Sequence, residues 1–286
     1  MLLPFLHSLL ISAEELDSFC QHLRGEERSA ATIEKYRRDV AQFAAWLGEN
    51  QLEKEAGVRW KAHLLAQGCE PSTVNGKLTA LDRFLHFLGQ ADCKVKHLKI
   101  QRQLFREDGL ELNRREYDQL LEAARSAGRE RLALLMESIC GTGIRVSEVK
   151  YLTVEAARCG KVEVALKGKI RAILLPGKLC RKLLKYARKN KIASGEIFLT
   201  RSGTSLSGKQ IWREMKGLCQ RAGVAPAKVF PHNLRHLFAR TFYQACRDVA
   251  KLADVLGHSS IGTTGIYLLS TGAEHAKVLE QLRLIS

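Results

Sequence analysis

Two stretches near the C-terminal end decide how this chain is read: PHNLRHLFAR at residues 231–240 and VLGHSSIGTTGIY at residues 255–267. In the first, His232 precedes Arg235 by three positions on a presumed helix, so both side chains project from one face. In the second, a Gly257-His258 turn leads into a short segment that ends on Tyr267. Two further stretches lie upstream. One is Gly141-Thr-Gly-Ile-Arg145-Val-Ser-Glu148. The other is Lys167-Gly168-Lys169-Ile170-Arg171, set between the β-prone runs Val162–Leu166 and Ala172–Leu175 as a basic-tipped hairpin. Singly, each is ordinary: a helix start, a capping pair, a helix end, a core tyrosine.

Together they supply what one reaction requires. Transfer of a phosphodiester needs a nucleophile, charge neutralisation on the non-bridging oxygens, and an acid for the departing alkoxide. Arg145 and Arg235 are suited to gripping the phosphate in a guanidinium fork and stabilising charge as it builds. His232 shares a face with Arg235, and His258 can donate a further hydrogen bond. The hydroxyl of Tyr267, with an ordinary pKa near ~10, becomes a nucleophile more easily beside such cations. A departing 5′-hydroxyl is a far poorer leaving group. Lys167 at the hairpin tip is a plausible proton donor, with Lys169 as its rival. No acidic cluster suggests a magnesium site, so neither metal nor cofactor is expected.

Charge points to the same partner. Among 286 residues, 46 Lys and Arg face 30 Asp and Glu, giving +16 and a pI near 9.7. Residues 1–100 are net neutral, so the excess lies in residues 101–286. It is densest from Lys161 to Lys191, where Glu163 is the single acid. Such a balance suits nucleic acid or an acidic membrane face, and phosphate contacts from it would be salt-sensitive. The apolar N-terminus, Met1 to Ser12, lacks a basic start and is interrupted by Pro4 and His7, unlike a signal peptide. No membrane association is expected, and the location expected is the cytoplasm, with the nucleoid. Eight scattered cysteines, with no Cys-x-x-Cys pair, read as reduced and mostly buried thiols.

The first hundred residues hold a repeat at an offset of 41: Thr32, Ile33, Val40, Phe43, Trp46, Leu47 and Gly48 recur as Thr73, Val74, Leu81, Phe84, Phe87, Leu88 and Gly89. Each copy spaces apolar residues for one helix face and ends on a glycine that can close a helix. Ser29 and Ser72 sit near the expected helix starts. Two more helices fit around Glu14–Arg24 and Trp60–Gln67, making a four-helix module. Gln90 to Leu112 lacks a sustained apolar period and reads as a linker. Beyond it, Arg114–Ala127 and Arg129–Cys140 look helical, and helices resume after Gly177. The organisation expected is a small helical domain at 12–90, a linker at 91–110 and a larger domain at 111–286. The fold class is mainly α, with a mixed α/β second domain holding one small antiparallel sheet.

In order and spacing, these motifs resemble the tyrosine recombinases, especially compact bacterial integrases of the Xer type. The resemblance spans nearly the whole chain. It implies a SAM-like core-binding domain that clamps DNA from the far side, and a catalytic domain that completes a C-shaped enclosure. It implies that Arg145, His232, Arg235 and His258 surround the scissile phosphate, that Lys167 is the hairpin lysine and that Tyr267 is the nucleophile. Glu148 would orient the Arg145 segment. The partners implied are double-stranded DNA with inverted-repeat core sites and three further protomers. The homotetramer would exchange a last helix, Glu274–Leu284, hinged near Gly272 and apolar along Ala276, Val278, Leu279, Leu282 and Leu284. Strand exchange would pass through a Holliday junction. Some residues depart from the pattern: Asn233 stands where Asp is common, and Leu268-Leu269 follow the tyrosine where Thr-His is common. Gly262 and Gly265 should loosen the tyrosine segment, which leaves its resting position open. A type IB topoisomerase and a catalytically silent DNA-binding regulator are the competing readings.

Overall fold

A computed structural model of the chain describes residues 11–50, 52–100, 109–166, 169–258, 260–265, 267 and 280–281. The chain divides into two compact units, residues 1–102 and 103–286.

In the first unit α1 (Ala13–Gly25) opens on a capping box, Ser12 Oγ accepting from the Glu15 amide and Glu15 Oε2 from the Ser12 amide. Helix α2 (Ala30–Leu47) is capped by Ser29, as expected, and closes at Gly48 with φ +59°. Helix α3 (Lys54–Ala66) starts six residues before the expected Trp60. Its early turns are anchored by Ala56 and by Gly57, whose missing side chain lets Val95 approach: a Cβ there would lie 2.5 Å from Val95 Cγ2. Helix α4 (Pro71–Phe87) begins at its proline, which pre-sets the first helical φ, so Ser72 lies inside the first turn and does not cap. The two repeat copies are α2 and α4, which pack on each other and bury Ile33, Val40, Phe43, Val74, Leu81 and Phe84. After α4 the chain stays on this unit through a 3-10 turn at Ala91–Cys93, buried Val95, and a two-way hydrogen bond between the Asn75 amide and the Leu98 backbone.

In the second unit α5 (Arg114–Ser126) and α6 (Glu130–Thr142) match the expected helices to within two residues. Helix α6 is the axis of the core. It packs against α5, and against three later helices, α8 (Gly177–Lys189), α9 (Gly208–Lys216) and α11 (Pro231–Cys246). That explains why it is buried nearly all round. Its buried hydroxyls on Ser138 and Thr142 are satisfied by carbonyls four residues back. Between α6 and α8 lie a 3-10 helix at Val146–Tyr151, α7 (Val154–Cys159), and the strands β1 (Lys161–Leu166) and β2 (Lys169–Leu174). The strands pair antiparallel, with Val164 opposite Arg171. The remaining helices are α10 (Cys219–Ala222), α12 (Val249–Leu256) and α13 (Ile261–Gly265). The fold is thus mainly helical, with one two-stranded antiparallel sheet among the described residues.

The expectation for the cysteines is also corrected. The cysteines are free, but only Cys20, Cys180 and Cys219 are buried; Cys159 is exposed and the rest are half-buried. Small thiols at helix edges were read as core because the sequence pattern does not separate the two. The expected helix Glu274–Leu284 and the hinge at Gly272 lie outside the described residues, apart from Glu280 and Gln281. No helix among the described residues is long and apolar enough to cross a membrane.

Candidate active site

The site is assembled from helix ends. Helix α6 closes at Gly143 in the left-handed conformation, φ +65°, where a Cβ would lie 2.5 Å from Phe238 of α11. This turn places Arg145 at the start of a 3-10 helix. Glu148, 2% exposed, caps it: Oε2 accepts from the Arg145 amide at 2.9 Å, and Oε1 pairs with Arg145 Nη1 at 3.0 Å. Helix α11 carries His232 and Arg235, and Arg235 is 1% exposed. Its Nη1 donates to the Gly143 carbonyl and its Nη2 to the Leu256 carbonyl at 2.8 Å. Helix α12 ends at Gly257, φ +63°, delivering His258 beside Arg235.

Tyr267 is docked. It is 6% exposed, with its hydroxyl 3.4 Å from His232 Nε2 and its ring stacked on His258 and packed on His236. Leu252, Leu256 and Ala239 complete its surroundings. So the looseness expected from Gly262 and Gly265 does not displace the tyrosine; α13 ends at Gly265 and the ring still reaches the pocket. The structure therefore brings together Arg145, His232, Arg235, His258 and Tyr267. Lys167 lies outside the described residues; Lys169 is described only as the first residue of β2.

The electrostatics follow from crowding of cations. Burial, then His236, Arg235 and Arg145, push His232 down to about 4. Burial, then Arg235, Arg145 and Arg171, push His258 down to about 4. Both are neutral near pH 7. A guanidinium cannot accept a hydrogen bond, so His258 Nε2, 3.0 Å from Arg235 Nη2, must be the acceptor. The ring proton then sits on Nδ1 and faces Thr264 Oγ1 at 2.9 Å. Burial lowers Arg235 as well, against the opposing pull of the Tyr267 hydroxyl. Its Nε is buried and has no partner among the described residues. That unused donor suits an incoming anion. Among the described residues no cluster of His, Cys, Asp or Glu is placed to hold a metal.

Three contributors were not singled out from the sequence. Thr264 and His236 surround the histidine and the tyrosine ring. Arg171, noted only as part of a basic run, pairs with Glu148 Oε2 at 2.9 Å. Its signal was present: it occupies the strand position opposite buried Val164, where an apolar residue belongs. Asn233 has a reason of its own. Its amide donates to the carbonyls of Leu110 and Lys228, both at 2.8 Å, which a carboxylate could not do.

A buried tyrosine hydroxyl against a neutral histidine, flanked by guanidiniums with an idle donor, defines a phosphoryl-transfer site. The known proteins agree. The profile of the phage integrase family matches residues 111–274, and that of the phage integrase N-terminal SAM-like domain matches residues 16–92. The chain is 32% identical over 281 residues to tyrosine recombinase XerD of Brucella suis biovar 1, covering 88% of this chain and 91% of that protein. It is 29% identical over 285 residues to tyrosine recombinase XerA of Pyrococcus furiosus, covering 96% of each. The lambda integrase tetramer bound to a Holliday junction shares the fold with a TM-score of 0.71 at 17% identity, over 89% of this chain and 76% of that one. This chain belongs to the phage integrase family: it is a tyrosine recombinase, which cleaves and religates DNA.

Proposed function

We propose that this enzyme exchanges strands between two copies of an inverted-repeat DNA site, acting as a tetramer and passing through a Holliday junction. The observation that carries the reading is the docked Tyr267, with its hydroxyl 3.4 Å from a neutral imidazole nitrogen. In the forward step the Tyr267 oxygen bonds to phosphorus and its proton passes to His232 Nε2. The bond from phosphorus to the 5′-oxygen breaks, and that oxygen takes a proton from Lys167, or from Lys169. Arg145, Arg235 and His258 hold the non-bridging oxygens. His258 Nε2 can donate there only after it gives up Arg235 and takes a proton. The 3′-phosphotyrosine bond conserves the energy of the broken diester, so the reverse step needs no nucleotide. Residues 12–90, with 91–98 packed against them, serve as the core-binding domain, the remainder of the expected linker 91–110 as the connection, and residues 111–286 as the catalytic domain. Support for assembly comes from the relative crystallised as a tetramer on a junction. The C-terminal residues 273–286 are the proposed exchanged segment.

The test uses a nicked suicide duplex carrying a binding site selected from random sequence, in excess chelator. Wild-type protein should form a denaturant-resistant adduct, and Tyr267→Phe should form none while still shifting the duplex in a gel. An adduct retained by Tyr267→Phe would place the nucleophile elsewhere, with Tyr243 the next candidate. Strict dependence on magnesium would count against the site.

A further inference from the structure

Glu148 is a buried carboxylate set directly against an arginine that must grip a phosphate, and left to itself it would compete with that phosphate for Arg145. Its two oxygens are shared. Oε1 takes Arg145 Nη1 at 3.0 Å, while Oε2 takes the Arg145 amide and Arg171 Nη2, both at 2.9 Å. Arg171 reaches this point from β2, and only 13% of its side chain is exposed. Its Nη1 donates to the Leu256 carbonyl, the same oxygen that accepts from Arg235 Nη2. Its stem lies flat across Gly257: a Cβ added there would lie 2.0 Å from Arg171 Cδ. Arg171 thus touches the partners of both arginines that face the phosphate; its Nη1 and Nη2 are spent on protein acceptors, while its Nε is buried without a partner among the described residues. Burial lowers it to about 10, which still leaves it charged at neutral pH.

We infer that Arg171 is the counter-ion of Glu148 and a positioning residue for Arg145 and Arg235, neutralising the carboxylate so that the charge of Arg145 stays available to the scissile phosphate. The inference rests on the strand-exchange reading above. With Arg171 in place, two guanidiniums share one carboxylate; without it, Glu148 draws on Arg145 alone.

The test compares cleavage by full-length wild-type, Arg171→Ala, Arg171→Lys and Arg145→Ala proteins on three nicked duplexes. These carry the natural diester, an uncharged methylphosphonate, or a 5′-bridging phosphorothiolate at the scissile position. The methylphosphonate removes the charge that the arginines neutralise; the phosphorothiolate replaces the leaving alkoxide by a thiolate that needs no acid. Arg171→Ala should slow cleavage of the diester about 10–100-fold, with Arg171→Lys recovering part of it. On the methylphosphonate the deficit should shrink to within about threefold, as for Arg145→Ala. On the phosphorothiolate it should persist. A Glu148→Gln background should abolish most of the Arg171→Ala effect, because no carboxylate is left to neutralise. An equal deficit on all three duplexes would make Arg171 merely structural, and rescue by the thiolate would assign it to the hairpin's proton donor; either overturns the inference. If wild-type protein forms no adduct on any duplex, the strand-exchange reading itself fails.

Discussion

His232 and His258 show how residue chemistry depends on company. Both imidazoles are held near 4 in the folded protein, against about 6.5 when exposed. The unfolded chain therefore takes up protons first as the solution is acidified. Their contribution to stability is complete above about pH 6.5 and is lost as pH falls toward 4. Denaturant unfolding at pH 7.5, 6.0 and 5.0 should show stability falling over the lower interval, with a shallower fall in His232→Gln/His258→Gln. Identical slopes would mean that other groups control the acid limb. At this scale the sequence was informative about which groups meet and silent about their protonation. Five of the six proposed catalytic residues were named from motif order and are described as neighbours. The tautomer of His258 and the pairing of Arg171 depend on distances that no spacing rule contains.

At the scale of elements, apolar period was enough to find α2, α4, α5 and α6, because each turns one stripe, or its whole surface, toward a core. It failed where close approach decides the boundary, as at Gly57 in α3. The start of α4 was set by Pro71, and a hydroxyl one residue later could not compete. The 3-10 helix after Arg145 was also missed, since six residues give too few turns for a period to show. Gly143 is where an element boundary becomes chemistry. Its φ of +65° and its contact with Phe238 both exclude a side chain, while its carbonyl holds Arg235. We expect Gly143→Ala to cost about 3 kcal/mol of stability and to slow cleavage beyond that loss. Thermal unfolding beside single-turnover cleavage would check both; an unchanged midpoint would show that the turn can relax.

Over the whole molecule, charge is divided unevenly: residues 1–100 are net neutral and the rest carries the excess. On the proposed core-binding role, the net charge that attracts DNA lies in the second unit and the first adds contact area. A fragment of residues 103–286 should fold, because its core clusters are complete without the first unit. It should bind a selected duplex at least about tenfold more weakly than the full chain at matched salt. Equal affinity would remove residues 1–102 from the binding surface. The sequence made this division visible through composition, but the segment at 91–98 packs on the first unit through Val95 and Leu98, whose isolated apolar side chains form no pattern.

Three hydrogen bonds of the site join two portions of the second unit: Arg145 to the Gly257 carbonyl, Arg171 to the Leu256 carbonyl and Arg235 to the Gly143 carbonyl. Gly143, Arg145, Glu148 and Arg171 precede the exposed turn at Ser202–Gly203; Arg235, Leu256, Gly257, His258 and Tyr267 follow it. Opening the backbone at that turn would leave one piece with a carboxylate and two guanidiniums, and the other with Tyr267. Each would also bare apolar surface where α6 met α9 and α11. Neither piece holds a working centre, and the seam between them is the centre. Two such pieces, each fused to one half of an inducible dimeriser, should form DNA adducts only when the inducer is added, turning strand cutting into a report of proximity. Adduct formation by a single piece would show that the seam had been drawn in the wrong place.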